Sequence, residues 1–194
     1  MTARPARLAK PLLKLDKRAK QAFKPYRDTL PVKALDTAGG IGDQLPLRLL
    51  CAGVFVAGLV RRDGRMMRAA ARMLVAHEVA TLAKGMVKRQ VDRQRPRSTA
   101  GRKASKPHKG HSRAKEQQSF PSGHSAGAVA VASAFAAEYP EHAAPALGAA
   151  GAVALARIPA GAHYPSDVMA GSAIGAATSA ALNLLWRMVG SLRR

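Results

Sequence analysis

The chain has 194 residues, 47% of them hydrophobic and only 4% aromatic, so pervasive disorder is excluded and one folded domain is expected. Its 32 Lys and Arg against 11 Asp and Glu give a formal net charge of +21, which favours anionic partners: nucleic acid, an anionic membrane surface or phosphorylated molecules. The single Cys51 excludes an internal disulfide and a cysteine-based zinc site. Abundant alanine favours closely packed helices.

Residues 1–44 form a basic N-terminal region without an apolar run suited to a secretory signal, so we expect this region to be kept. Leu8, Leu12, Leu13 and Leu15 lie here among many lysines. This pattern predicts either a short amphipathic helix lying on an anionic membrane face or a disordered basic tail. Both interpretations remain open from the sequence.

Residues 45–187 are expected to form the helical bundle. The stretch 45–60 is apolar apart from Arg48 and would span about 24 Å as a helix, which is marginal for a bilayer core of about 30 Å. Residues 66–87 predict a long helix that carries charged and imidazole side chains. These would face the bundle interior, a partner or the interface rather than lipid; they are Arg72, His77, Glu78 and Lys84.

The most basic segment is residues 88–115, with eleven Lys and Arg and one Asp. Its part 103–115 is rich in Ser, Gly and Lys, which predicts a mobile loop. The basic stretch 97–115 would either attract anionic lipid or act as a solvated linker, and both interpretations stay open. His108 and His111 have no carboxylates beside them, so we expect loop residues and no metal site.

Three further helices are predicted, over residues 124–138, 143–157 and 168–186, and the last of these has nineteen residues without charge. Residues 188–194 are expected to be a basic C-terminal tail. The fold class predicted is all-α, a membrane helical bundle of about five helices preceded by the basic N-terminal region. Small residues at three- and four-residue spacing in the last helix suit close helix packing; they are Gly171, Ser172, Gly175, Ala176 and Ser179.

One residue cluster lies at the start of the basic segment and a second lies shortly after its end. Lys88 and Arg95 are seven residues apart, about two helical turns, so both cations could share one helix face. Ser122, Gly123 and His124 follow a proline at the start of an alanine-rich helix, where free amide groups bind phosphate well and a histidine could exchange protons. The alternatives are a solvated basic helix end and an ordinary helix cap.

A third cluster lies before the last helix. His163 and Asp167 are four residues apart, so one turn would bring the carboxylate towards the imidazole and fix its tautomer. Arg157 supplies a guanidinium fork that fits phosphate oxygens. The alternative is a helix-capping aspartate with a nearby surface histidine.

Together the three clusters resemble the signature of the type 2 phosphatidic acid phosphatase superfamily, which includes lipid phosphate phosphatases and bacterial acid phosphatases. That signature is Lys-x6-Arg-Pro, then Pro-Ser-Gly-His, then Ser-Arg-x5-His-x3-Asp, and every internal spacing is kept between residues 88 and 167. One position departs, because Ala156 replaces the serine before Arg157. We expect the missing hydroxyl to reduce or retune activity at a cost of about 1.5–3 kcal/mol.

The resemblance implies a metal-independent phosphatase without cofactor. His163 would attack phosphorus and form a phosphohistidine, Asp167 would orient it, and His124 would protonate the leaving oxygen and then activate water. The remaining residues would bind the phosphate of the substrate; they are Lys88, Arg95, Arg157, Ser122 and Gly123.

A membrane position would imply a lipid-linked substrate such as phosphatidic acid, phosphatidylglycerol phosphate or a polyprenyl (di)phosphate, with membrane lipids as partners. Residues 1–44 and 88–123 would share one side and carry over twenty Lys and Arg, against about seven at the other ends. The positive-inside rule then predicts a multi-pass protein of a bacterial-type inner membrane with its active site facing the cytoplasm.

Two other classes of function compete with this one. A soluble phosphatase would use the same chemistry, and a catalytically silent basic protein would bind anionic lipid or nucleic acid through its lysines. The silent protein has no use for the arrangement of His124, Arg157, His163 and Asp167, so we expect an enzyme and no specific nucleic acid partner. No oligomeric state follows from the sequence.

Overall fold

The computed structural model describes residues 4–99, 101 and 103–191. Among them it contains one two-stranded antiparallel ladder, in which β1 (Val91–Asp92) pairs with β2 (His108–Lys109). The seven α-helices of these residues are α1 (Arg4–Phe23), α2 (Leu30–Gly39), α3 (Gln44–Val60), α4 (Gly64–Lys88), α5 (Gly123–Glu138), α6 (Ala143–Ala156) and α7 (Pro165–Ser191). The all-α class is therefore confirmed.

Helix α5 forms the centre of the bundle and packs against α4, α6 and α7, while α3 packs against α4. Its buried residues lie on all sides of the helix, as expected for an element covered by three neighbours. Gly171 and Gly175 let α7 approach α5 closely: a Cβ at these positions would lie 2.3 Å from the carbonyl oxygen of Ser122 and 2.4 Å from that of Ala126.

The bundle has small residues inside and large apolar residues outside. Fourteen of the twenty apolar residues buried in the described part of the chain are alanines. Large apolar side chains on the outward faces of α3, α4 and α7 are about half to four-fifths exposed, which is the reverse of a water-soluble core and surface. Examples are Leu45, Leu49, Val60, Leu82, Met86, Leu184 and Leu185.

The N-terminal region is helical, so of its two interpretations the helix is the one observed. Helix α1 packs against α7, and α2 packs against α6. Asp16 of α1 is fully buried, and the Lys20 ammonium donates to the carbonyls of Thr99 and Lys103, both at 3.0 Å. These contacts join the N-terminal region to the basic segment.

The helix count differs from the expected five, because α1 and α2 add to α3–α7. By length and composition, one described helix can cross a membrane, at Pro165–Val189. Leu30–Gly42 and Gln44–Val60 meet the same criteria only as a pair, bent by 57°. Helix α7 also continues through residues 188–191 of the expected tail, whereas residues 192–194 lie outside the described residues.

The predicted shared helix face of Lys88 and Arg95 is wrong, because α4 ends at Lys88 and Arg95 has an extended backbone. The chain from residue 91 to 95 instead pairs with β2 and with residues 116–119. Backbone hydrogen bonds thus join the basic segment to residues 116–119, which precede α5.

Candidate active site

A cavity of about 220 Å³ opens at the end of the bundle where α4 and α6 end and α5 begins. It contains six of the eight predicted site residues. Asp167 lies behind the cavity wall, and Ser122 lies at the cap of α5. The lining residues are Gly42, Asp43, Gln44, Lys84, Lys88, Arg95, Arg97, Lys115, Gly123, His124, Arg157 and His163.

His163 is 1% exposed and lies in the loop between α6 and α7. Its Nδ1 is 2.7 Å from the carbonyl oxygen of Ser119, which can only accept a hydrogen bond, so Nδ1 carries the proton. In a neutral ring Nε2 then holds the free lone pair. Burial lowers the pKa of His163, Asp167 opposes that shift and Arg95 reinforces it, so the neutral form is favoured.

Asp167 orients this loop by a route other than the predicted one. Its Oδ2 is 3.9 Å from Nδ1 of His163, and it accepts hydrogen bonds from the hydroxyl of Ser119 at 2.5 Å and the backbone amide of Tyr164 at 2.8 Å. The guanidinium of Arg93 binds its other oxygen. Asp167 therefore fixes Ser119 and Tyr164, and the imidazole of His163 donates its own hydrogen bond from Nδ1 to the Ser119 carbonyl.

His124, the second residue of α5, faces His163 across the cavity with 6.2 Å between ring centroids. Its Nε2 lies 2.8 Å from Oδ1 of Asp43. Asp43 is the N-cap residue of α3, yet its side chain makes no capping hydrogen bond. The carboxylate thus contacts the histidine that is suited to exchange protons with a bound anion.

Positive charge surrounds the two imidazoles. Lys88 donates to the carbonyl of Gln118 at 3.2 Å, and Arg95 donates to those of Lys115 at 2.9 Å and Ala162 at 3.3 Å. Burial and the neighbouring Arg97 and Arg157 lower the pKa of Arg95 from its usual high value. Carbonyl partners fix these cations without neutralising them, so their charge is available to an anion.

Arg157 is held by α2: its Nη1 donates to the carbonyl of Asp36 at 2.8 Å and lies 2.5 Å from the carboxylate of the same residue. Its Nε is buried without a hydrogen-bond partner among the described residues. A guanidinium that keeps one buried donor unpaired beside a cation-lined cavity is well placed to bind a phosphate oxygen.

Two expectations about the phosphate contacts need correction. The Ser122 amide donates to the carbonyl of Asp167 at 3.0 Å, and the Ser122 hydroxyl caps α5, so this residue holds the helix rather than the cavity. Ala156 lies on the far side of Arg157, in an apolar groove against Gly39. A hydroxyl at 156 would therefore lie outside the cavity.

The apolar groove has a volume of about 720 Å³ and lies between the N-terminal helices and α6. A Cβ at Gly39 would lie 3.1 Å from Cδ of Arg157, so this arginine separates the groove from the cavity. The groove is lined by Ala19, Phe23, Leu35, Ala38, Gly39, Ile41, Ala152, Val153, Leu155, Ala156, Ile158, Pro159 and Pro165.

Several residues that line the cavity or hold its side chains were not predicted from the sequence. Lys84 lies one helical turn before Lys88, and this spacing could have placed it in the cavity. Arg93 lies among the unspecified positions of the first motif, and no local pattern marks it. The other missed residues lie in the N-terminal region, in the basic segment or just after that segment; they are Asp16, Asp36, Asp43, Arg97, Lys115 and Ser119.

Comparison with known proteins gives three findings. A sequence model of the PAP2 superfamily matches residues 69–191. A lipid A 1-phosphatase from Rhizobium johnstonii is 39% identical over 97 residues, which cover 49% of this chain and 38% of that relative. The chain thus spans well under half of that relative's length.

The third finding is a structural one. The fold is similar to the crystal structure of a transmembrane PAP2-type phosphatidylglycerolphosphate phosphatase from Bacillus subtilis, with a TM-score of 0.60 and 18% sequence identity. The superposition covers 97% of this chain and 89% of that one. At this identity the similarity describes the fold.

Proposed function

This chain belongs to the PAP2 superfamily, and we propose that it hydrolyses the phosphate monoester or diphosphate of a membrane lipid through a phosphohistidine at His163. One observation carries the proposal. A buried imidazole, with its proton fixed on Nδ1 by the Ser119 carbonyl, forms the wall of a cavity that six cationic side chains line. This arrangement binds a tetrahedral anion and presents a neutral nucleophile to it.

In the first step the lone pair of His163 Nε2 attacks phosphorus, and the bond between phosphorus and the lipid oxygen breaks. His124 gives its proton to that leaving oxygen, so the lipid departs as a neutral alcohol, or as a phosphate where the substrate is a diphosphate. Arg95, Arg157 and Lys88 stabilise the charge on the equatorial oxygens.

In the second step water attacks the phosphohistidine. His124, now neutral, takes a proton from the water, and the bond between phosphorus and Nε2 breaks to release inorganic phosphate. The imidazole returns to its starting tautomer because the Ser119 carbonyl keeps the proton on Nδ1.

A lipid substrate fits the two adjoining spaces. The cavity would take the phosphate, and the apolar groove beyond Arg157 would take part of the apolar chain. The names of the Rhizobium and Bacillus proteins support this class, since one is a lipid A 1-phosphatase and the other a transmembrane phosphatidylglycerolphosphate phosphatase.

The apolar outer faces of α3, α4, α6 and α7 support a position within a bilayer. The cavity end carries ten Lys and Arg in residues 1–44 and eleven in residues 88–123, so we place it at the cytoplasmic face of an inner membrane. Five embedded helices would put the C-terminus on the other side. A C-terminal alkaline phosphatase fusion should therefore be active and a fluorescent protein fusion dark, and the reverse result overturns this orientation.

The test of activity is phosphate release by the detergent-solubilised full chain in the presence of EDTA. The substrates are phosphatidic acid, phosphatidylglycerol phosphate, polyprenyl diphosphate and lipid A. We expect release that is lost in His163→Ala and kept in His142→Ala, a histidine exposed in the turn before α6. Quenching with alkaline detergent after brief reaction with a phosphorus-labelled substrate should trap label on the protein in a base-stable, acid-labile form.

Each result bears on a separate part of the proposal. Release that persists in His163→Ala would overturn the nucleophile, and release that EDTA abolishes would overturn the metal-independent mechanism. A wild-type chain that releases no phosphate but binds polyanions in a steeply salt-dependent manner would support the silent basic protein instead.

A further inference from the structure

A row of buried charges connects α1 with the loop that carries His163. Arg93, Asp16 and Asp167 are all 0% exposed. The guanidinium of Arg93 lies between the two carboxylates, with its Nη2 2.6 Å from Oδ2 of Asp16 and its Nη1 bonded to Oδ1 of Asp167. Such a set of buried charges needs every partner in place, because an unpaired buried charge is strongly destabilising.

Asp16 makes more contacts than a simple ion pair. It accepts hydrogen bonds from the backbone amide of Ser166 at 3.0 Å and from the hydroxyl of Ser166 at 2.6 Å, in the first turn of α7. Arg93 also donates to the Ser166 hydroxyl at 2.7 Å and lies 4.0 Å over the Tyr164 ring. Both residues flanking Pro165 are thus fixed by the pair.

The connection continues from Asp167 to the nucleophile. The Ser119 hydroxyl donates to Asp167, and the Ser119 carbonyl accepts the proton of His163 Nδ1. Asp167 also accepts from the Tyr164 amide, next to His163 in the chain. A shift of Arg93 would therefore move the partners that determine the tautomer and the direction of the His163 ring.

From these contacts we infer that Asp16 and Arg93 are positioning residues for His163. The N-terminal helix α1 therefore contributes to the geometry of the active site through Asp16. The inference rests on the proposed phosphatase function. It also assigns a role to a residue outside the segment 69–191 that the superfamily model matches.

The negative charge of Asp16 gives the inference a test that does not depend on the stability of the fold, namely the pKa of His163. The set Asp16, Arg93 and Asp167 carries one net negative charge, whereas Asp167 with Arg93 alone would be neutral. Removing the charge of Asp16 weakens the stabilisation of a positively charged His163 ring, so its pKa falls. The other charged or titratable groups that face this ring are Lys88, Arg95 and His124, and they remain unchanged.

The experiment measures kcat and KM for Asp16→Asn and Arg93→Lys in the full chain, with the exposed residues Asp28→Asn and Arg89→Lys as matched controls. We expect kcat to fall about 10- to 100-fold in both test variants, as outer-shell partners of reactive groups do, with KM changed less than about threefold. The controls should keep the wild-type values.

A second readout is the pKa of His163, followed by NMR in protein labelled at the histidine Cε1 carbon and assigned with His163→Ala. This titration reports only the folded molecules, so a loss of folded protein does not hide the result. We expect a lower pKa in Asp16→Asn. An unchanged pKa, or a kcat equal to that of Asp28→Asn, overturns the inference. A wild-type chain without phosphatase activity overturns the proposed function, and the titration still decides the inference.

Discussion

The cationic cavity and the apolar groove lie on the two sides of Arg157 and are built in opposite ways. In the cavity, polar contacts hold the reactive side chains: His163 is hydrogen-bonded to Ser119, and Arg157 forms an ion pair with Asp36. The groove is lined by alanine, leucine and proline side chains, with almost no polar surface. Cavity residues should therefore affect every phosphate substrate, whereas groove residues should affect only substrates that carry an apolar chain.

The largest effect is expected at the boundary residue itself. Arg157→Gln removes the guanidinium that lines the cavity, so kcat/KM should fall about 10²- to 10³-fold for a long-chain lipid phosphate and for a short, water-soluble phosphate monoester alike. Arg61→Gln, in the exposed turn after α3, is the control and should be neutral. A loss confined to the lipid substrate would place Arg157 functionally with the groove.

A substitution in the groove should separate the two substrates. Leu35 lines the groove and Leu30 is 84% exposed, and both lie on α2. Leu35→Asn should raise KM for the long-chain lipid phosphate about tenfold, because the lost apolar contact amounts to about 1–2 kcal/mol. The KM for the short substrate should stay unchanged. Leu30→Asn should change neither, and equal effects on both substrates would contradict a chain-binding groove.

The cavity also predicts a pH dependence. Burial lowers the pKa of His163, Asp167 partly opposes the shift, and Arg95 adds to the lowering. An ordinary histidine is half protonated near about pH 6.5, so a lowered pKa keeps this imidazole neutral at more acidic pH. The acid limb of kcat/KM for the free enzyme should therefore lie at a lower pH than the limb expected for an ordinary histidine. An acid limb with an apparent pKa of about 6.5 or above would contradict this environment for His163.

The sequence was sufficient for elements with a strong local pattern. The boundaries of α5 and α6 agree with the prediction to within one residue, because alanine-rich apolar segments ended by polar turns have few alternatives. Helices α1 and α2 could not be decided in the same way, since a basic amphipathic stretch looks alike as a docked helix and as a free tail. What decides it is the burial of Asp16 against Arg93, a contact between residues 77 positions apart.

The same distinction applies to the site. From the motif spacing, four side chains were expected to lie together, and the structure places them in one cavity. They are His124, His163, Arg95 and Arg157. The motif spacing did not predict which groups hold these side chains in place. A helix face was predicted for Lys88 and Arg95, yet α4 ends between them, and the carbonyl that orients His163 belongs to Ser119, 44 residues away. Backbone carbonyls have no residue-type signature, so such partners are visible only in the fold.

The smallest effect is expected at Ala156. Substitution of this residue tests where the cationic cavity ends and the apolar groove begins. The superfamily signature has serine there, and from the sequence its absence suggested a lost phosphate contact. In the structure Ala156 packs towards Gly39 in the groove, so Ala156→Ser should change kcat/KM for the short substrate by less than about threefold. Ala152→Ser, another groove position, is the control. A tenfold or larger gain specific to Ala156→Ser would mean that the hydroxyl reaches the phosphate past Arg157, and the cavity would then have to include the end of α6.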